Sequence, residues 1–230
     1  MTDVEFPSNG STAPGYLATP KSGGGPGVVV LQEWWGLVPH IRDVCDRLAA
    51  EGFVALAPDL YRGDTTNEPD EAQQKMMALD MDQAERDMRG AVDHLVDLPE
   101  VTGGVGALGF CLGGGLCVWA AAANPKVQAV VTYYYVMPHG KPDFSKIKAP
   151  ILGHFGTADD FVSVDDAKGL EAEMRDAGVD TTFELYDGAG HAFFNDTNRL
   201  GTYDADAAQL SWTRTVNFLR SHLSQAYVGA

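Results

Sequence analysis

Short, nearly continuous apolar runs separated by helical segments are the feature that most limits how this chain can fold. "GVVVLQ" at 27–32 and "FVALAP" at 53–58 are two such runs, and "HIRDVCDRLAA" at 40–50 lies between them with apolar residues at helical spacing. A strand that is apolar at almost every position is typical of a parallel sheet covered on both faces. These residues therefore predict a strand, a helix and a second strand parallel to the first.

The same alternation continues to the end of the chain. An amphipathic stretch at 70–98 carries Met88, Val92 and Leu95 on one helical face, and Pro99 ends it. The glycine-rich segment at 22–27 is predicted to be a surface turn before the first buried strand. The other predicted elements are strands at 105–110, 127–135, 149–156 and 181–188 and helices at 112–124, 163–177 and 204–223. We therefore predict one domain, residues 1–230, with a three-layer α/β fold, a mostly parallel sheet and helices on both faces.

The charge balance narrows the choice of partners. Asp and Glu number 32 against 16 Lys and Arg, and the formal net charge is -16. Such a surface repels a phosphate backbone, so nucleic acid is not expected as a partner. No apolar run approaches the roughly 18 residues of a membrane span, and the N-terminal residues lack the order of a signal peptide. We expect a cytoplasmic protein that does not bind a membrane.

The three cysteines do not form a disulfide or metal pattern, because the chain has no CxxC pair and no His/Cys cluster at ligand spacing. Cys45 lies at helical spacing from other apolar residues, and Cys117 lies inside an apolar run, so both are predicted to be core residues. No metal and no organic cofactor are expected. Cys111 is different, because glycines flank it at the point where a predicted strand meets a predicted helix.

Residues 109–113, "GFCLG", have the form G-x-nucleophile-x-G. In such a turn the middle side chain is exposed at the carboxyl end of the sheet, and the glycines avoid collisions across the tight bend. The N–H groups and dipole at the start of the following helix favour an anion, and the N–H of Leu112 is the first candidate donor to an oxyanion. Taken alone, the motif fits equally well a tight turn around a buried Cys111.

An acidic residue and a histidine follow in the order that this architecture requires, each on a loop after a later strand. Asp159 and Asp160 follow the strand at 149–156, and His191 follows the strand at 181–188. Either loop could simply be solvated if it were seen alone. Because all three residue types occur at the right strand ends, we predict a Cys-His-Asp triad, with the choice between the two aspartates open at this point.

Five segments, "LQEWWG", "APDLYRG", "GFCLGGG", "GTADDFV" and "YDGAGHAF", resemble the dienelactone hydrolase (carboxymethylenebutenolidase) family of the α/β-hydrolase fold. The resemblance covers residues 15–222. It implies that Cys111 is the nucleophile, that His191 is the base and proton donor, and that Asp159 orients the imidazole, with Asp160 as the second choice.

The same resemblance implies that Glu33 contacts the thiol region and that the backbone N–H of Trp34 is the second oxyanion donor. Two departures stand out. Members that cleave dienelactone have an arginine where this chain has Asn195, and another in the segment that corresponds to 67–77, which here contains none. Those arginines bind the substrate carboxylate, so recognition of an anionic dienelactone is in doubt.

Two further arginines and several aromatic residues lie near these motifs in sequence. For Arg62 and Arg199 the sequence predicts no position relative to a pocket. Six aromatic side chains could either line an apolar acyl pocket or lie in the core, and the sequence favours neither location. They are Trp34, Trp35, Tyr133, Tyr134, Phe193 and Phe194.

The predicted function is hydrolysis of an activated ester or lactone, a small-molecule substrate, through a cysteine thioester acyl-enzyme. One alternative is a broad-specificity carboxylesterase or thioesterase without lactone preference, which the missing arginines favour. The other is a non-catalytic, redox-sensing α/β protein in which Cys111 is merely oxidisable. A monomer or a small homo-oligomer is expected.

Overall fold

The computed structural model describes residues 1–8 and 10–225. Its strands are β1 (Thr2–Ser8), β2 (Ser11–Ala18), β3 (Gly25–Leu31), β4 (Val54–Pro58), β5 (Val101–Phe110), β6 (Val127–Tyr133), β7 (Ile151–Gly156) and β8 (Thr181–Tyr186). Its α-helices are α1 (Pro39–Ala50), α2 (Pro69–Met77), α3 (Met81–Asp97), α4 (Leu112–Ala123), α5 (Val164–Asp176) and α6 (Ala205–Leu223), and a short 3₁₀ helix covers Phe144–Lys146.

All eight strands form one sheet in the order β1-β2-β4-β3-β5-β6-β7-β8. From β4 to β8 neighbouring strands run parallel, as the continuous apolar runs predict. Helices cover both faces: apolar residues of α1 and α6 pack on one face, and those of α3, α4 and α5 pack on the other. This three-layer arrangement is the predicted fold class. It brings the carboxyl ends of the parallel strands to one edge of the sheet.

Two N-terminal strands were not among the predicted elements. β1 and β2 pair antiparallel with each other, and β2 pairs antiparallel with β4. Pro7 in β1 and Pro14 and Gly15 in β2 weaken the local strand signal. Pairing with β4, where Gly15 lies opposite Pro58, is a tertiary contact that short-range patterning does not report.

Three predicted boundaries were wrong. The stretch at 70–98 forms two helices, because the Asp80 carboxylate accepts a hydrogen bond from the N–H of Gln83 at 3.0 Å and begins α3. Gly25 belongs to β3 and not to a surface turn, and a Cβ there would lie 1.8 Å from the carbonyl oxygen of Gly52. β6 ends at Tyr133, and Tyr134 turns the chain away with φ 37°.

The other two cysteines lie in the core as predicted, since Cys45 and Cys117 are fully buried. Among the helices of the described residues, none combines the length and the apolar character needed to cross a bilayer.

Candidate active site

The turn between β5 and α4 places Cys111 at the carboxyl edge of the sheet. Its backbone has φ 55° and ψ −115°, a conformation that costs a non-glycine residue about 1–3 kcal/mol. A Cβ at Gly109 would lie 1.8 Å from the carbonyl oxygen of Gly113, and a Cβ at Gly113 would lie 2.2 Å from that of Leu31. Only glycine fits at either position, so the two flanking glycines of the motif make this bend possible.

Hydrogen bonds on both sides hold the turn in place. The N–H of Cys111 donates to the carbonyl oxygen of Tyr133 at 3.1 Å, and the N–H of Val136 donates to the carbonyl oxygen of Cys111 at 3.1 Å. The Cys111 side chain is 6% exposed and lies on the wall of a cavity. The strained turn therefore presents the sulfur to a cavity and not to the core alone.

His191 and Asp159 meet at the same edge, from the loops after β8 and β7. The imidazole Nδ1–H of His191 donates to the Asp159 carboxylate Oδ2 at 2.9 Å. The other carboxylate oxygen, Oδ1, accepts from the backbone N–H groups of Phe161 at 2.7 Å and Val162 at 2.9 Å. Three donors thus fix the orientation of this carboxylate. The neighbouring Asp160 is exposed, so Asp159 is the aspartate that contacts the imidazole.

The charge of the site favours a protonated imidazole. Burial lowers the pKa of His191, but the interactions with Cys111 and with the Asp159 carboxylate outweigh burial and raise this pKa to about 10. Cys111 and His191 line the same cavity, and Asp159 holds Nδ1 of the imidazole. The other ring nitrogen, Nε2, is therefore the one available to exchange a proton with the thiol.

The backbone N–H groups of Leu112 and Trp34 lie on the side of Cys111 and the cavity, and neither has an acceptor among the described residues. Leu112 is the first residue of α4, so the helix dipole adds to the attraction for an anion there. Trp34 lies in the loop after β3, next to the cavity. Free donors at this place could hold the oxyanion that forms when the sulfur attacks a carbonyl.

Glu33 is 1% exposed, and its carboxylate Oε2 accepts a hydrogen bond from the Asn195 side-chain amide at 2.7 Å. Its partner among the described residues is thus Asn195 and not the Cys111 thiol. Burial and the charges of Glu33 and Cys111 raise the pKa of Tyr134 well above its ordinary value, so all three groups are close in space. The amide of Asn195 occupies the place where the sequence resemblance leads one to expect an arginine.

A cavity of about 220 Å³ adjoins these groups. It is lined by Trp34, Gln73, Met76, Cys111, Val136, Phe161 and His191. Of the six aromatic side chains considered from the sequence, Trp34 lies on this wall. The other five, Trp35, Tyr133, Tyr134, Phe193 and Phe194, are buried core residues.

Gln73, Met76, Val136 and Phe161 were not identified from the sequence. They come from α2, from the segment after β6 and from the loop that carries Asp159, which are far apart along the chain. The one available signal was the position of Phe161, two residues after the predicted triad acid.

Arg62 and Arg199 do not line the cavity. Arg62 forms an ion pair with Asp87 at 2.6 Å, and Arg199 donates to the carbonyl oxygen of Thr66 at 3.1 Å. The described part of the chain contains no group of three or more His, Cys, Asp or Glu side chains that could hold a metal ion.

Known proteins are similar to this chain in both sequence and fold. The sequence model of the dienelactone hydrolase family matches residues 13–223. "Protein usf" of Aquifex pyrophilus is 38% identical over 229 residues, which are 96% of this chain and 98% of that protein. A protein of Aquifex aeolicus, provisionally named carboxymethylenebutenolidase, is 36% identical over 231 residues, with 96% and 98% covered.

A solved structure gives the same result in three dimensions. It is a dienelactone hydrolase-like promiscuous phosphotriesterase from metagenomic libraries, and it superposes with a TM-score of 0.85 at 28% identity, covering 97% of this chain and 98% of that one. The superposition thus covers nearly the full length of both chains.

Proposed function

The chain belongs to the dienelactone hydrolase family, whose members are hydrolases that act on esters or lactones, and we propose that it cleaves an activated ester or lactone through a thioester on Cys111. The observation that carries the proposal is the arrangement of His191, which is hydrogen-bonded to Asp159 and faces the same cavity as Cys111. That geometry is what nucleophilic catalysis by a thiol requires.

In the proposed first step, His191 takes the proton of the Cys111 thiol and the sulfur attacks the carbonyl carbon. The N–H groups of Leu112 and Trp34 donate to the resulting oxyanion. When the tetrahedral intermediate collapses, the C–O bond to the alcohol breaks and the imidazolium gives its proton to the departing oxygen. The acyl group is then held as a thioester.

In the second step, His191 removes a proton from a water molecule, which attacks the thioester. The C–S bond breaks, the acid is released, and Cys111 regains its proton from the imidazolium. Asp159 keeps the Nδ1–H directed at itself, so that Nε2 faces the reacting groups in both steps. Because a thiolate leaves more readily than an amine, the proposal is for esters and not amides.

We propose that neutral substrates are favoured over the anionic dienelactone. The walls of the cavity carry no lysine or arginine among the described residues, and His191 is the only basic side chain there. Glu33 accepts a hydrogen bond from the neutral side-chain amide of Asn195, whereas an arginine at position 195 would add a positive charge. This supports the broader alternative, a carboxylesterase or thioesterase without lactone preference.

Replacement of the nucleophile tests the mechanism. Cys111→Ala is expected to lower kcat/KM for p-nitrophenyl acetate by about 10⁴ or more, because the thioester can no longer form. Cys45→Ala is the matched control, since Cys45 lies on the buried face of α1 and does not line the cavity. Cys111→Ala activity within tenfold of the wild type would contradict the proposal.

Iodoacetamide labelling of Cys111 distinguishes the enzyme from a redox sensor. A sensor thiol is expected to label readily at neutral pH without substrate. Cys111 is only 6% exposed, so we expect it to label slowly under these conditions.

We also propose that residues 1–230 act as one catalytic domain. All described strands belong to one sheet. The triad residues and Trp34 lie on the segments that follow β3, β5, β7 and β8, and α2 contributes Gln73 and Met76 to the cavity wall.

A further inference from the structure

A second depression lies beside the catalytic cavity, and we call it the outer groove. It has a volume of about 570 Å³ and runs between the segment after β6 and one side of α5. Its apolar walls include Met137, Pro138, Val162 and Leu170. Nothing in the catalytic mechanism uses this space.

The outer groove is continuous with the catalytic cavity, because Val136 and Phe161 line both. Phe161 is 60% exposed, an unusual position for a large apolar side chain on the surface. Its ring forms the boundary between the two spaces. A substrate held in the cavity can therefore extend past this ring into the groove.

The position of His191 shows which part of an ester would extend there. The imidazole gives its proton to the departing alcohol, so the alcohol part of the substrate must lie beside His191. The ring of Phe161 packs against that imidazole with 4.7 Å between ring centroids. The groove beyond Phe161 is thus on the alcohol side of the scissile bond.

Charges on the rim of the groove act against anions. Asp165, Asp166 and Glu173 lie along it, and the one lysine there, Lys141, forms an ion pair with Glu173. An excess of negative charge on the rim and apolar walls below it suit an uncharged hydrocarbon chain.

On this basis, and resting on the ester hydrolysis proposed above, we propose that the outer groove binds the alcohol part of the substrate and selects esters of long, uncharged, apolar alcohols. Phe161 and α5 then determine specificity on the alcohol side. The small cavity at Cys111 holds the acyl part.

Gly169 of α5 allows a direct test. It lies on the wall of the groove, and a Cβ built there would have no atom within 4 Å. Gly169→Phe therefore places a ring in the groove without a backbone clash, and phenylalanine has a higher helix propensity than glycine. Lys168→Phe is the matched control, because Lys168 is exposed on the same helix and does not line the groove.

The assay is kcat/KM for ethyl, butyl, hexyl and octyl acetate, which share one acyl group. In the wild type and in Lys168→Phe, we expect kcat/KM to rise about threefold to fourfold for each added methylene that the groove buries. In Gly169→Phe, we expect the ratio of kcat/KM for octyl acetate to that for ethyl acetate to fall at least tenfold. An unchanged ratio in Gly169→Phe would overturn the proposal.

A binding measurement separates this proposal from the ester hydrolysis on which it rests. Calorimetric titration of 1-octanol into Cys111→Ala should give a Kd at least tenfold lower than for 1-butanol, and adding Gly169→Phe should remove the difference. If the wild type hydrolyses no ester, the proposed function fails while this readout still decides the groove. Equal binding of 1-octanol and 8-hydroxyoctanoate would overturn the preference for uncharged chains.

Discussion

Asp159→Asn changes one atom of the triad, and the surrounding hydrogen bonds determine its consequence. Oδ1 accepts two backbone N–H groups, those of Phe161 and Val162, so the carbonyl oxygen of an asparagine must take that position. The side-chain NH₂ must then face His191 Nδ1, 2.9 Å away in the wild type. Two donors would face each other, and the imidazole must move its proton to Nε2. In that tautomer it cannot take a proton from Cys111.

The Asp159 carboxylate is one of the groups that raise the pKa of His191 against the effect of burial. Without its charge the imidazolium is less stable in the buried site, which weakens both proton transfers, and the wrong tautomer adds to that loss. We expect kcat to fall by a factor of about 10⁴, as the same substitution does in a serine protease triad.

The assay is kcat and kcat/KM for p-nitrophenyl acetate, with thermal unfolding measured on the same samples to confirm folding. Asp160→Asn is the matched control, because it removes the same charge from the exposed neighbouring position. It should keep activity within about twofold of the wild type. The reasoning is refuted if Asp159→Asn keeps more than a tenth of the activity, or if Asp160→Asn loses as much as Asp159→Asn.

Three further predictions concern stability, pH and substrate charge. Gly113→Ala should lower the free energy of unfolding in urea by about 1–3 kcal/mol, because its Cβ would lie 2.2 Å from the Leu31 carbonyl oxygen; an unchanged urea midpoint would contradict this. Burial and then the charge of Arg214 lower the pKa of His154 to about 3, so the unfolded chain binds a proton that the folded chain does not as pH falls below about 6.5. Between about pH 6.5 and pH 3, the free energy of unfolding of the wild type should therefore fall by about 1.4 kcal/mol per pH unit relative to that of His154→Gln. The same pH dependence of unfolding free energy in both proteins would rule this out. Asn195→Arg should raise kcat/KM for dienelactone relative to p-nitrophenyl acetate at least tenfold, since a guanidinium would bind the substrate carboxylate, and a constant ratio would show that position 195 does not select for charge.

Local sequence patterns were sufficient for the central sheet. The runs that became β3 to β7 are apolar because both faces are covered, so burial is visible in the sequence itself, whereas β8 lies at the edge of the sheet and is only partly buried. The N-terminal hairpin gave no such signal, because β1 and β2 lie at the edge and have exposed positions and prolines. Their pairing depends on β4, which is far away along the chain.

The turn at Cys111 was predictable for a different reason. The glycines at 109 and 113 are required by backbone atoms that approach within 1.8 to 2.2 Å of any added Cβ. Gly109 makes its close approach to Gly113 within the turn, and Gly113 makes its own to Leu31 of β3, but both glycines stand in one short motif that can be recognised from the sequence. The histidine and the aspartate could be located as well, because in a parallel sheet the loops after successive strands meet at one edge.

What the sequence alone determined is therefore the layered fold, the strained cysteine turn and the loops that bring His191 and an aspartate to it. The tertiary structure decided which aspartate contacts the imidazole, that Asn195 donates to the buried Glu33, and that Phe161 separates the cavity from an outer groove. The physical reason is the range of the interactions. Backbone periodicity and steric limits act over a few residues, whereas cavities and side-chain contacts form between segments that only the folded chain brings together.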